Sequence, residues 1–571
     1  MLQKLRLTGW VALAGLMFVL VSTACSKTET VTVTVERTVI STVPVTVEVE
    51  RTVVVTPTPG PRALGKVAYL NLGVEPPTLD PALAADNISG NIIENVFVGL
   101  TNLNTETSEV EPDLAARWDV SADGTVYTFH LRNDVKWTDG RPVTAHDAEY
   151  GILRSLAPET GSQYAFLIVS IIRNAAAFNA GEISDASQVG VRALDDYTLE
   201  ITLEHAAAYF PALASTWVMF PQPRWAIEAH GDKWIEPENI VCNGPYKVLS
   251  WVHGSSLVLV KNPTYYNPGR VAIETLDFKM VENPATALAL YEAGALDSVN
   301  PPPEELDRIR SSPTLSAELS ISPSLSTYSY GFTVDRAPMD NVLVRKAFAA
   351  AVDKQSLVDF VLKGGQRPAR TFTPPGNFGA VDGAAENVGI AFDPAQARQW
   401  LAEAGYPNGQ GFPSVTLMFP VGDIHQPLAE AIAAMWKANL NVDVTLAAQD
   451  FGVFISTLFT DPTHMWLIVY GSDYPDADNW LRGVFHSQAP INFARFNNAE
   501  FDEAVDQAAR EQDIATRKSL YKRAEQILTQ DVAAIMPIYY LTEVALEKPY
   551  LDRTYSPFGG EQYYTWKVFE H

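Results

Sequence analysis

From residue 28 to residue 61 the chain is almost wholly Thr, Val, Glu, Arg and Pro, a run without the side-chain volume to build a core. Alternating Thr and Val favour a strand, but Pro44, Pro57, Pro59 and Pro61 break the run. Compact structure must therefore lie beyond it. The run itself reads as a stalk of about 40 residues, reaching roughly 130 Å fully extended or about 35 Å as a flexible coil. A β-ribbon or a self-associating strand is the alternative.

The residues before the stalk suggest what it is tied to. Lys4 and Arg6 form a basic start, residues 10–21 a short apolar run, and Ser22-Thr23-Ala24 a small-residue approach to Cys25. About a dozen apolar residues are too few to span a bilayer, so residues 1–24 read as a secretory signal peptide. Small residues leading into a cysteine resemble the bacterial lipobox, which makes Cys25 the expected lipidation site and residues 25–64 a lipidated stalk. Ser22 stands where lipoboxes favour leucine, and ordinary cleavage nearby is the alternative. The expected location is the extracytoplasmic face of the cell membrane, within the periplasm if an outer membrane exists.

With 41 Lys and Arg against 67 Asp and Glu, the formal charge is −26. The acids are spread along the chain and no basic stripe could neutralise phosphates, which argues against a nucleic-acid partner. Cys25 and Cys242 are the only cysteines, too few for a disulfide framework, and Cys242 reads as a plain buried residue.

Strand-like and helix-like segments alternate irregularly after the stalk, as in an α/β fold with insertions. Residues 126–131 (VYTFHL) read as a strand, followed by turn chemistry at Thr138-Asp139-Gly140. Asp393-Pro394 opens a helix that Gly405 closes, with Ala397, Leu401 and Ala404 inward. Leu428, Ile432, Met435, Trp436 and Leu440 recur at helical spacing, and residues 442–446 then alternate like a strand.

The sequence offers little catalytic chemistry. It has no P-loop, no paired-histidine zinc helix and no G-x-S-x-G elbow. Ser519-Leu520-Tyr521-Lys522 has the S-x-x-K spacing of penicillin-binding enzymes without their companion motifs, and its flanks read as an exposed helix. Asp473, Asp476 and Asp478 lack the glycine turn and terminal glutamate of a calcium loop, and nine histidines are scattered without ligand spacing. No enzyme, metal or other cofactor is expected. Asp476 and Asp478 read as solvated loop acids.

Residues 118–147 (WDVSADGTVYTFHLRNDVKWTDGRPVTAHD) are more specific. They resemble the hallmark segment of the family 5 extracellular solute-binding proteins of bacterial ABC importers. Similar segments follow the same order: 75–81 (EPPTLDP), 243–251 (NGPYKVLSW), 262–266 (NPTYY), 291–297 (YEAGALD), 344–353 and 404–409 (AGYPNG). The resemblance covers about residues 66–566 and is nearest to oligopeptide-binding proteins.

It implies a two-lobed, periplasmic-binding-protein-like α/β clamp of three domains with mixed sheets (type II, cluster C-like). Domain I would be 65–97, 225–325 and 541–571; domain II, 98–224; domain III, 326–540. Chain crossings near Ser326 and Tyr540 would be the hinge. The implied function is capture of peptides by lobe closure and delivery to the permease subunits of an ABC importer, by a monomeric lipoprotein.

A receptor for many peptides must pair with backbone and neutralise termini, because side chains vary. By the resemblance Asp473, in YGSDY after the apolar run WLIVY, would take the peptide amine. Val469, Tyr470 and Gly471 would line one edge of the ligand and Ala85, Asp86 and Asn87 the other. Phe451 and Tyr470 would be aromatic pocket residues, Tyr164 would sit near the ligand amine, and His425 would meet short-peptide carboxyl ends. Core packing is the alternative for the aromatics.

Departures from the family pattern thin the carboxylate-binding side. Leu458 and Leu467 stand at arginine positions, and Lys363 falls one residue from a third basic site. Ser326 and Gly471 occupy the positions of a family disulfide. Longer peptides or another amine-bearing solute remain open, as do an oligosaccharide, an opine or a metal chelate. A surface enzyme or adhesin is the remote alternative.

Overall fold

The computed structural model describes residues 31–34, 50–53 and 66–570, apart from 423 and 559. Cys25 and the expected signal peptide lie outside the described residues. Within the expected stalk, Val31–Thr34 and Glu50–Val53 pair antiparallel, Val31 opposite Val53. For these two segments the ribbon alternative holds over the coil, in keeping with their β-branched Thr and Val.

Residues 64–571 form one unit. It holds two large apolar cores, built on different sheets. The first core covers two four-stranded sheets. One runs in the order Tyr246–Val252, Ser256–Lys261, Thr275–Lys279 and Val67–Asn71, the last pair parallel. The other, wholly antiparallel, is Ala115–Val120, Val126–Leu131, Thr198–Thr202 and Val191–Asp195. Val126–Leu131 is the expected strand, and its alternate residues Tyr127, Phe129 and Leu131 are buried.

The second core runs from Tyr328 to Tyr539 around a seven-stranded mixed sheet. Its helices follow the sequence signals. Asp393 caps Pro394–Glu403 by accepting from the Ala395 and Gln396 amides, and Gly405 follows the helix at φ 99°. His425–Leu440 buries Leu428, Ile432, Trp436 and Leu440, then feeds the strand Val444–Gln449. The S-x-x-K segment lies on the helix Ile514–Gln526, where Ser519 is exposed and Lys522 pairs with Glu386 at 2.8 Å.

Two long strands, Leu319–Phe332 and Ile535–Glu547, join the cores. Their antiparallel pairing runs from Leu319 opposite Leu546 to Pro323 opposite Thr542, breaks, and resumes at Thr327 opposite Tyr540. The break leaves Ser324, Leu325 and Ser326 out of the ladder, a local bend of the kind a β-bulge makes. Two lobes joined by paired strands with a bend between them form a clamp.

Candidate functional site

At the bend lies a cavity of about 330 Å³, lined from both cores. The second core contributes Gly471, Ser472 and Asp473 from the end of the strand Met465–Gly471. That strand pairs with Leu319–Phe332 along its whole length, Ser326 opposite Gly471. A Cβ on Gly471 would come within 3.0 Å of the Ser326 hydroxyl, so the two positions stand face to face. On its other side the strand pairs with Val415–Pro420 only at Met465 and Trp466. Among the described residues no strand takes up the far edge of residues 467–471, which is left open for an added strand.

Asp473 follows that open edge. Its carboxylate accepts from Asn479 Nδ2 at 2.9 Å and from the Tyr470 hydroxyl at 3.3 Å, and its amide donates to Asn479 Oδ1 at 2.9 Å. The Tyr164 hydroxyl, also in the cavity lining, adds to the groups that lower its pKa. Burial pushes the Asp473 carboxyl above the usual carboxylate range, and these three donors only partly hold it down. Among the described residues no Lys, Arg or His pairs with it. The site has the acid and three dipoles but lacks the cation.

The neighbouring acids differ. Asp476 and Asp478, expected to be solvated, are 3% and 2% exposed. Asp476 caps the helix Ala477–Phe485 through the Asp478 amide and pairs with Arg517 Nη2 at 2.8 Å. Asp478 accepts from the Tyr474 hydroxyl at 2.9 Å. Their role is to anchor the helix that carries Asn479, and through it Asp473.

From the first core, Asp86 caps the helix Asn87–Val96 by accepting from the Ile88 and Ser89 amides, and Asn87 opens into the cavity. Ala85 is half-buried just before this cap. Tyr164 stacks on Trp217 with ring centroids 5.0 Å apart, and Trp217 Nε1 donates to the Ala84 carbonyl at 3.0 Å. Trp217, in the cavity lining, and Asn479, which holds Asp473, are positions that the sequence reading did not name.

The cavity therefore gathers Asp473, Gly471, Tyr164 and Asn87 from the expected set. Val469 is exposed two residues before Gly471 on the same strand, and Tyr470 is held behind Asp473 with its ring edge-on to Trp480. Phe451 and His425 lie outside the cavity lining. Phe451 is 65% exposed at the start of the helix Phe451–Thr460. His425 opens its helix, with Nδ1 3.2 Å from the Tyr328 hydroxyl, and burial lowers its pKa. Leu458 and Leu467 are core residues. No group of three potential metal-ligating side chains occurs among the described residues.

The chain is similar to the oligopeptide-binding protein OppA of Bacillus subtilis (strain 168), 33% identical over 87% of this chain and 91% of that protein. It is similar also to the probable deoxycholate-binding periplasmic protein YgiS of Escherichia coli (strain K12), at 32% identity over 87% and 92%. Its fold matches a periplasmic murein tripeptide-binding protein, MppA, solved in an unliganded open form. That match has a TM-score of 0.79 and 30% identity over 90% of this chain and 99% of that one. The family model for bacterial extracellular solute-binding proteins, family 5 Middle, matches residues 109–491. Fold, family match and relatives agree: the chain belongs to family 5 of the bacterial extracellular solute-binding proteins.

Proposed function

We propose that this protein captures peptides between its lobes, without chemical turnover, and hands them to the permease of an ABC importer. The observation that carries the reading is Asp473, a desolvated carboxyl without a cationic partner at the end of an open strand edge. A peptide supplies what each part lacks, an ammonium for the carboxylate and a backbone for the edge. Of the ligands in the two relatives' names, an oligopeptide brings an ammonium as well as a carboxylate, whereas deoxycholate brings a carboxylate alone. The cavity is lined by Glu94, Asp113 and Asp473 and by no Lys, Arg or His, which favours a cation over a bile-acid carboxylate.

Hinge closure about the bent strand pair would bring Asn87 against the ligand's other edge, with Tyr164 beside Asp473 at the amine. Residues 65–97, 225–325 and 541–571, then 98–224, and 326–540 serve as the three domains of this clamp. Small-angle scattering is expected to show a smaller radius of gyration with peptide bound, and the peptide should be recovered intact. A ligand returned chemically altered would overturn the reading of a receptor without turnover.

The proposed anchor is a lipid on Cys25, with the protein a monomer on the extracytoplasmic face. Cys25→Ser is expected to move the protein from the membrane fraction to the soluble exported fraction. Unchanged membrane association would remove the anchor.

A further inference from the structure

The cavity has a second acidic end that Asp473 does not reach by any hydrogen bond. Glu94 projects there from the helix Asn87–Val96, where the residues before and after it include buried Ile92, Ile93 and Val96. Among the described residues its carboxyl has neither a hydrogen bond nor an ion pair. The charges acting on it come from one direction. Glu561 lies alongside, and burial first and Glu561 second push the Glu94 carboxyl up to about 8.

The nearby cation is already committed. Arg553 donates to Glu543 at 2.7 Å, to Glu547 at 3.1 Å and to Glu561, so three carboxylates share one guanidinium and the surroundings of Glu94 stay negative. Asp113, the third acid of the cavity, is answered differently. Burial pushes its carboxyl up to about 7, but it accepts from the Tyr266 hydroxyl at 2.7 Å, and Arg270 and Arg132 act against the rise. Two amide side chains of this region are committed to each other and to Tyr564: Gln562 donates to Asn102 at 2.9 Å and accepts from Tyr564 at 2.6 Å. Glu94 is left as a cavity acid that no cation, hydrogen bond or ion pair of the described residues answers, so a bound ammonium or guanidinium would be its first counter-charge.

We propose that the Glu94 end of the cavity is a second cation subsite, which selects peptides carrying a lysine or arginine side chain beyond the N-terminal amine. This rests on the reading of Asp473 as the partner of the amine, and adds a class of side chain to it. Desolvated and beside a like charge, Glu94 gains from an ammonium or guanidinium far more than an exposed acid would. An apolar or acidic side chain at the same place leaves it unanswered.

The test is calorimetric titration of the purified protein with tetra-alanine, and with versions in which lysine, norleucine or glutamate replaces each alanine in turn. At one position lysine should bind about 10- to 100-fold tighter than norleucine, with glutamate weakest. Glu94→Gln should bring the lysine-to-norleucine ratio at that position close to one. Because bound lysine holds Glu94 ionised, the wild-type ratio should rise with pH and level off above about 8. A purely structural role for Glu94 would not produce that pH dependence. If the peptides bind but no position prefers lysine, or the preference survives Glu94→Gln, the subsite is overturned and the peptide reading stands. If no peptide of the series binds, the peptide reading fails and the subsite with it.

Discussion

Asp473→Asn is expected to cost a free-amine peptide roughly 10²- to 10³-fold in affinity, the scale of breaking a buried charge pair, about 3–5 kcal/mol. N-acetylation of the peptide should weaken the wild type by a similar factor and scarcely affect the variant, since the pair is already broken. Additive losses in this double cycle would show that Asp473 does not meet the amine. The pH dependence has a defined sign. An ammonium holds Asp473 ionised, so binding lowers a pKa that burial raises in the free protein. Affinity should therefore fall as pH drops through the free carboxyl's pKa, and fall again above about pH 8 as the peptide amine loses its proton. In the unliganded protein the raised pKa means that the ionised carboxyl destabilises the fold at neutral pH. The Asn oxygen can still accept from Asn479 and Tyr470 while its amide group donates to a hydroxyl oxygen, so the variant should unfold at the same temperature as the wild type or higher. Impaired binding with undiminished stability is the signature of a residue kept for its ligand.

Arg517→Met should do the reverse, destabilising the second core by about 3–5 kcal/mol, because it leaves the Asp476 carboxylate buried and unpaired. Arg517 also donates to the Ala508 carbonyl at 3.1 Å and lies over the Phe378 ring, so the loss includes packing that no solvent replaces. Chemical denaturation should show the deficit shrinking as pH falls, since a protonated Asp476 no longer needs its partner. Adding Asp476→Asn should recover part of the loss, because asparagine can still cap the helix Ala477–Phe485. A wild-type denaturation midpoint for Arg517→Met would mean that the ion pair carries no stability. Ligand affinity should fall as well, because that helix positions Asn479 against Asp473.

These two residues show what the sequence made legible. Asp473 is singled out by resemblance to the family's amine-binding aspartate, and the apolar run of residues 466–470 before it is local pattern enough to place it just past a strand end. Asp476 and Asp478 follow within five residues, beside Pro475 in an acid-rich stretch that looks solvated. What buries them is remote: Arg517 is 41 residues away, and Tyr209, which stacks on Tyr474, belongs to the other core. Burial made by distant partners leaves no local trace. The same holds for Glu94, an acid set between apolar residues of one helix. The sequence reading passed over it, because the burial and the approach of Glu561 that set it apart come from the fold. The helices 394–403 and 425–440 were readable because caps and apolar spacing are local. The pairing of Leu319–Phe332 with Ile535–Glu547 joins segments some 200 residues apart and follows from no short pattern.

Ser326 and Gly471 face each other across the strand pair that borders the cavity, and neither carries sulfur. The other thiol candidate among the described residues, Cys242, is fully buried, and burial pushes its pKa up to about 12. Thiolate is the form that oxidants and disulfides attack, so Cys242 is chemically silent at any ordinary pH. The seam beside the cavity is held by hydrogen bonds and packing with no disulfide across it, and neither glutathione nor an oxidant alters these. Grip and release should therefore be the same under reducing and oxidising conditions, leaving the receptor to work unchanged wherever the redox balance of its surroundings shifts.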